Sequence, residues 1–296
     1  MRALLLYRLD LAEGRTLDDG ILPVDPREPL VRATDLGVNR GDGVFETAVV
    51  RHGHAQALEA HLARFERSAR LLELPEPRLQ LWRTAVRRAA AAVSAPGVLR
   101  EGELASIKFV MTRGDEFDGG DPTGWVLGFA GGDPAEVRRT GIRAVVLDRG
   151  YRHDVMSTAP WLLQGAKSLA YAVNQAALRE ARRRDADDVI FTSSDGQVLE
   201  GPRSTLIARI GGELLTPPVE YGVLPGTTQA DVFAGVTDTP SGVRAITRRE
   251  LAEADALWLC SSTRGAVPVR ELDGVGRTID HALTARMNSA LDARRE

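Results

Sequence analysis

The sequence predicts an α+β fold, with α and β mixed in both halves, arranged as two domains. Three observations carry this reading. The 296 residues are about twice the usual length of one domain. Helix-period and strand-like segments alternate on both sides of residue 131, so neither half is all-helical or all-strand. The chain-breaking run Gly131-Gly132-Asp133-Pro134 stands between them. The expected division is a small N-terminal α/β domain over residues 1–131, a linker over 132–138 and a larger C-terminal domain over 139–296. A functional site is expected in the cleft between domains.

The elements follow in order. Met-Arg-Ala-Leu-Leu-Leu-Tyr-Arg has too short an apolar core for a secretory leader and reads as a first strand. Arg40-Gly41-Asp42-Gly43 leads into a strand over 44–50. Leu58, Leu62, Phe65, Ala69 and Leu72 recur at helical spacing over 57–74, and Pro75 and Pro77 end that helix. A second, alanine-rich helix covers 79–93 and stops near Pro96-Gly97. Strands are expected over 105–112, 125–129 and 142–147, and a long helix over 168–184. The strand 188–192 is followed by Ser193-Ser194-Asp195-Gly196, whose Asp-Gly step signals a hairpin. Return strands over 197–200 and 204–210 are interrupted at Gly201-Pro202. A loop over 219–226 leads into a helix over 227–234, and a final strand covers 256–260.

Composition excludes several classes. With 43% hydrophobic and 27% charged residues the chain has the balance of a soluble globular protein. A net charge of −3 carries no nucleic-acid signature, and Arg182-Arg183-Arg184 is offset by Asp185, Asp187 and Asp188. No run of 18 apolar residues implies a membrane span. The single Cys260 excludes an intrachain disulfide and a thiol-rich metal site, and fits a reducing, cytoplasmic setting. His52, His54 and His61 have no supporting carboxylate cluster, so no metal site is expected. Trp82, Trp125, Trp161 and Trp258 read as packing residues.

Of the 38 basic side chains, 36 are arginine and two are lysine, Lys108 and Lys167. Wherever a generic cation sufficed, arginine is used, so each lysine invites a question. Lysine can lose its proton and attack a carbonyl, and guanidinium cannot. Lys108 lies in an alternating stretch and reads as an ordinary strand residue. Lys167 stands where an apolar run meets the expected helix, and by position is either a reactive amine or a helix-start cation. Two further features bear on the choice. Glu200 ends an apolar strand, where a carboxylate is unexpected unless it faces water. Leu224-Pro225-Gly226-Thr227-Thr228-Gln229 enters a helix, and is either an anion cradle or plain threonine capping. Lysine, carboxylate and phosphate cradle are together the protein parts that pyridoxal phosphate requires: a Schiff-base amine, a partner for the pyridine nitrogen and a seat for the phosphate.

At these residues the chain resembles the class IV aminotransferases, the fold-type IV pyridoxal phosphate enzymes, over residues 35–273. Asp35-Leu36-Gly37 and Gly41-Asp42-Gly43-Val44-Phe45-Glu46-Thr47 are similar to the first family signature. His61-Leu62-Ala63-Arg64-Phe65 resembles the helix with the phosphate arginine, and Lys167 through Asn174 the lysine segment. Residues 186–191 and 196–206 resemble the hairpin that follows. Leu224-Pro225-Gly226-Thr227-Thr228 and Cys260-Ser261-Ser262-Thr263 with Val267-Pro268-Val269 resemble the later phosphate loops. The resemblance implies a larger domain built as a pseudo-barrel, a homodimer and a small-molecule amine substrate. It implies that Lys167 is the Schiff-base lysine and proton carrier. It further implies cofactor contacts from Arg64, Tyr171, Glu200, Thr205, Gly226, Thr227, Thr228, Ser261 and Ser262. One departure is Ser204-Thr205-Leu206-Ile207, where the family usually has asparagine and phenylalanine at the second and fourth places.

The resemblance also bears on the reaction. D-amino-acid transaminases place an arginine and a histidine after a Thr-Arg-Gly strand end to trap the substrate carboxylate. Here Thr112-Arg113-Gly114 is followed by Asp115-Glu116-Phe117-Asp118-Gly119-Gly120. Arg40 and Arg113 are the substitute carboxylate anchors, and Phe45 joins them as a substrate-contacting candidate. Gly-Asp-Gly-Val-Phe-Glu-Thr and Cys-Ser-Ser-Thr with Val-Pro-Val are closer to the aminodeoxychorismate lyase branch. That branch releases pyruvate and 4-aminobenzoate, a folate precursor. The alternative is a transaminase using D-amino acids or branched-chain donors, and a third reading is a family member that only binds.

Overall fold

The computed structural model describes residues 2–12, 14–117, 119 and 121–294, and in it the first 130 residues wrap helices onto one face of an antiparallel sheet. Its strands are β1 (Arg2–Leu9), β2 (Ile21–Val24), β3 (Gly43–Arg51), β4 (His54–Ala55), β5 (Ala105–Thr112) and β6 (Thr123–Ala130), in the order β2-β1-β6-β5-β3-β4. Strand β6 alternates half-buried and buried positions along its whole length, as a pleated strand with one packed face must. Helix α1 (Leu36–Asn39) is capped by Asp35, whose carboxylate accepts from the Gly37 amide and from the Thr112 hydroxyl. Helices α2 (Leu58–Leu71) and α3 (Leu79–Val93) bring Phe65 and Trp82 against Phe109 of β5, with edge-on ring contacts of 4.9 and 5.1 Å from Phe65.

The second unit comprises residues 134–165 and 172–294. Its elements are α4 (Ala135–Thr140), β7 (Ile142–Asp148), α5 (Val155–Thr158), α6 (Ala172–Arg183), β8 (Asp188–Thr192), β9 (Thr205–Ile210), β10 (Glu213–Thr216), α7 (Thr227–Gly235), β11 (Ser241–Val243), α8 (Arg248–Glu253), β12 (Ala256–Ser261), β13 (Gly265–Leu272), β14 (Val275–Gly276) and α9 (His281–Ala293). The sheet runs β11-β10-β9-β12-β13-β7-β8, with β14 beside β13. It mixes antiparallel pairs with the parallel pairs β10–β11, β13–β7 and β7–β8. Ile190, Leu206, Leu257, Leu259 and Val267 form its core on one side. Trp258, Leu214 and Met287 pack on the other, where the Trp258 indole donates to the Thr284 hydroxyl at 2.8 Å. Among the described residues no helix is long and apolar enough to cross a membrane.

Three expectations are corrected. The helix expected over 168–184 begins at Ala172. Residues 166–171 instead pack with the first unit. The Phe45 amide donates to the Lys167 carbonyl at 3.0 Å, and the Leu169 amide to the Gly43 carbonyl at 2.8 Å. The segment thus takes the edge of β3 that β4 leaves open, because β4 pairs only with Val50 and Arg51. Gly43 permits this approach, since a Cβ there would lie 2.8 Å from the Leu169 side chain. Lys167 is therefore a strand-paired residue, not a helix-start cation. The second correction concerns the linker: its latter part already lies in α4. Third, the strand over 256–260 is not the last. Strand β13 follows it despite Pro268, which sits beyond the final β7 partner, Ile142 opposite Val269, where no amide is needed for that ladder.

Candidate active site

In the first unit the chemistry gathers around Phe45 on β3. The Lys167 Nζ lies 4.8 Å from the Phe45 ring centroid and the Lys108 Nζ 5.4 Å from it. The Tyr171 ring meets Phe45 edge-on at 5.7 Å. The Lys167 amide donates to Ser68 Oγ at 3.1 Å, which fixes the lysine backbone to α2 as well as to β3. The only two lysines of the chain thus face one aromatic ring, a juxtaposition that the alternating pattern around Lys108 does not disclose. Burial pulls the Lys108 amine below the usual lysine range, and among the described residues neither a carboxylate nor a hydrogen-bond acceptor meets it.

Arg64 projects from the same buried face of α2 as His61 and Ser68. Its Nε donates to Glu46 Oε1 at 2.6 Å and its Nη2 to Glu46 Oε2 at 2.8 Å. His61 Nδ1 lies 2.7 Å from Glu46 Oε2. Burial acts to raise the Glu46 carboxyl, but the charges and hydrogen bonds of Arg64 and His61 hold it well below the usual carboxylate range. Burial lowers His61, so the ring stays neutral and donates from Nδ1. Sequence reasoning assigned no role to Glu46. The signal was present, because His61, Arg64 and Ser68 put polar groups on the inward stripe of an amphipathic helix, where each needs a partner.

Arg113, expected as a substrate anchor, is engaged by protein groups in this structure. Its guanidinium donates to both oxygens of Asp42, at 2.6 and 3.2 Å, and to the carbonyls of Leu72 and Glu73, at 2.6 and 3.1 Å. Those four bonds tie the strand end to the α2 terminus and commit the arginine to structure. Arg40 is largely exposed at the end of α1 and lies 3.5 Å from Glu116. Asp118 and Gly120, in the acidic stretch after Gly114, lie outside the described residues.

In the second unit Glu200 stands on the return arm of the 193–196 hairpin, where its carbonyl accepts from the Phe191 amide and its Oε1 from the Leu224 amide at 3.2 Å. Tyr151, which sequence reasoning missed, donates from its hydroxyl to Gln164 at 2.6 Å. Burial, joined by the Glu200 charge and opposed by that of Arg149, pushes this hydroxyl up to about 12. Thr227 and Thr228 are buried in the first turn of α7, and the Gly226 cap supplies no side chain. A Cβ at Gly226 would collide with the Thr205 hydroxyl, so the close approach of loop and strand requires glycine. The Ser261 hydroxyl is buried and has no hydrogen-bond partner among the described residues.

These groups fit pyridoxal phosphate. An uncapped helix start with two threonines suits a phosphate, as does the orphaned Ser261 donor. An amine beside an aromatic ring suits a Schiff base, and a carboxylate held by a backbone amide suits a pyridinium.

The profile of the class IV aminotransferases matches residues 43–272. The chain is 44% identical over 271 residues to a bifunctional aminodeoxychorismate lyase / D-amino acid transaminase of Mycobacterium tuberculosis, covering 88% of this chain and 91% of that protein. Its fold is similar to that of a fold IV-transaminase, CpuTA1, from Curtobacterium pusillum, with a TM-score of 0.93, 50% identity and coverage of 99% and 100% of the two chains. It is also similar to the PLP-bound form of a hypothetical aminotransferase from Mycobacterium tuberculosis, with a TM-score of 0.85, 40% identity and coverage of 97% and 98%. The chain belongs to the class IV aminotransferases and has their two-domain fold. It is accordingly a pyridoxal phosphate-dependent enzyme, of a family that includes both lyases and transaminases.

Proposed function

We propose that this enzyme is an aminodeoxychorismate lyase that converts its substrate to 4-aminobenzoate and pyruvate. The observation that carries the reading is the Phe45 ring faced by two amines, Lys167 and the half-buried Lys108. A cyclic diene with an amine and a carboxylate, flattened as it becomes aromatic, complements an aromatic plate, a reactive lysine and a second amine. The arginine–histidine pair that traps a small amino acid in the D-amino-acid transaminases is absent after Thr112-Arg113-Gly114, and of the two substitute anchors Arg113 is engaged by Asp42.

Bound pyridoxal phosphate supplies an electron sink to the carbon bearing the substrate amine. Lys167 would hold the cofactor covalently, and its amine is the base that would take the proton from that ring carbon. The ring carbon–oxygen bond would then break, the oxygen leaving with the electron pair as enolpyruvate, which takes up a proton to become pyruvate, and the ring becomes aromatic. Glu200 keeps a proton on the pyridine nitrogen, and its hydrogen bond from Leu224 keeps the carboxylate oriented. Arg64, Gly226, Thr227, Thr228, Ser261 and Ser262 hold the phosphate, and Tyr171 and Thr205 contact the cofactor ring. Lys108 binds a substrate carboxylate.

Lys108→Met tests that role. Loss of a desolvated charge partner should cost about 2 kcal/mol, roughly thirtyfold in kcat/KM, mostly through KM. Steady-state kinetics on aminodeoxychorismate measure it, and an unchanged KM would remove Lys108 from the site.

A transaminase activity is the second reading. It is favoured by the 50% identity to a fold IV-transaminase and by the bifunctional name of the 44% identical relative. Lys167 can serve both reactions, since the bound cofactor activates any amine that reaches it.

A further inference from the structure

We propose that Glu46 is a positioning residue for the cofactor phosphate, acting through Arg64; this rests on the reading of Arg64 as the phosphate arginine. Glu46 is fully buried in the middle of β3, where an apolar side chain would be expected. Its carboxylate takes Arg64 side-on, through Nε and Nη2 together, and so fixes the plane of the guanidinium as a single contact would not. His61, one helical turn before Arg64, donates to the Oε2 that also receives Nη2, and this locks the carboxylate in turn.

A buried carboxylate is costly unless paired, so a pair placed here for stability alone could be replaced by apolar residues of similar volume. An orienting role is different. The guanidinium cannot rotate without breaking two short bonds, and the same helix face, through Ser68, also holds the Lys167 amide. One helix thus carries both contacts, but the Lys167 backbone is held by Ser68 and by the Phe45 amide, without Glu46. The charged and titratable groups near Glu46 are Arg64 and His61, which bond it, and Arg67, which feels its charge, all from α2, and the nearby Lys167 charge acts on His61.

The test compares apoenzyme binding of pyridoxal 5′-phosphate with that of pyridoxal, which lacks the phosphate. For wild type, Glu46→Gln, Arg64→Gln and the double variant, equilibrium titration gives the ratio of the two affinities. Glu46→Gln is expected to lower that ratio about tenfold, by analogy with the loss of other groups that orient a binding side chain. It should leave pyridoxal binding unchanged and have no further effect on top of Arg64→Gln. An unchanged ratio in Glu46→Gln alongside a collapsed ratio in Arg64→Gln overturns the positioning role alone. An unchanged ratio in Arg64→Gln overturns the phosphate assignment itself. Glu46→Asp keeps the buried charge but retracts the grip by one methylene. It is read the same way should the glutamine variant fail to fold, and a wild-type ratio there also overturns the proposal.

Discussion

Lys167→Arg is expected to retain the fold and the positive charge and to lose all turnover. The backbone of residue 167 is held by Phe45 and Ser68 through main-chain groups, so the substitution leaves β3 pairing intact. Arginine keeps a cation near the Phe45 ring, but guanidinium stays protonated and cannot attack an aldehyde. The variant should therefore bind pyridoxal phosphate without a covalent link. It should also lack the amine that moves the substrate proton, so two functions vanish with one side chain. Borohydride treatment followed by mass measurement of the protein checks the first, and a full-yield adduct at position 167 or elsewhere would show that another residue carries the cofactor. Lys108 is the only other lysine, and an adduct found there would exchange the two roles.

Glu200→Gln should bind the cofactor and turn over slowly. The amide matches the carboxylate in shape and can still accept from the Leu224 amide, so the hairpin and the 224–228 loop should hold their places. What is lost is the charge that keeps the pyridine nitrogen protonated, and with it the electron sink. Removal of a preorganised electrostatic group of this kind costs about 2–4 kcal/mol in the barrier, on the order of 30- to 1,000-fold in kcat. Tyr151 supplies no substitute charge, because burial pushes its hydroxyl up to about 12 and keeps it neutral. Turnover is to be measured at saturating cofactor, with spectroscopic proof of binding. A rate within twofold of wild type would take Glu200 out of the chemistry.

Much of this arrangement is legible in the sequence. The strands over 105–112 and 188–192 and the helix over 79–93 have the bounds read from the sequence, because the strands are short runs buried at nearly every position and the helix buries one stripe at helical period. Gly226 with Thr227 and Thr228 opens a helix, as a glycine followed by hydroxyls suggests. The lysine segment is the instructive failure. Ser168-Leu169-Ala170-Tyr171 has helical composition, yet it lies along β3 because an open strand edge and Gly43 are waiting for it. Such non-local pairing leaves no mark on the local pattern. Lys108, Glu46 and Arg113 fail for a related reason. Their roles depend on which partner arrives from 18 to 71 positions away, and a residue's own neighbours in sequence do not announce it. The buried polar face of α2 is the one local clue, since a helix rarely turns a histidine, an arginine and a serine inward without a reason.

Half-reaction spectroscopy tests most directly whether lyase chemistry is the main activity of this enzyme. The holoenzyme is mixed with saturating D-alanine, L-leucine or L-glutamate and no keto acid, and its visible band is followed. A parallel sample with aminodeoxychorismate is assayed for 4-aminobenzoate. A lyase returns its cofactor to Lys167 after every turnover, whereas a transaminase leaves the amine on the cofactor and stops. With Arg113 bound to Asp42, small amino acids should hardly bleach the band while 4-aminobenzoate accumulates over many turnovers. Rapid bleaching by any of the three amino acids, at a rate matching steady turnover with a keto acid and without 4-aminobenzoate release from aminodeoxychorismate, would contradict lyase chemistry as the main activity.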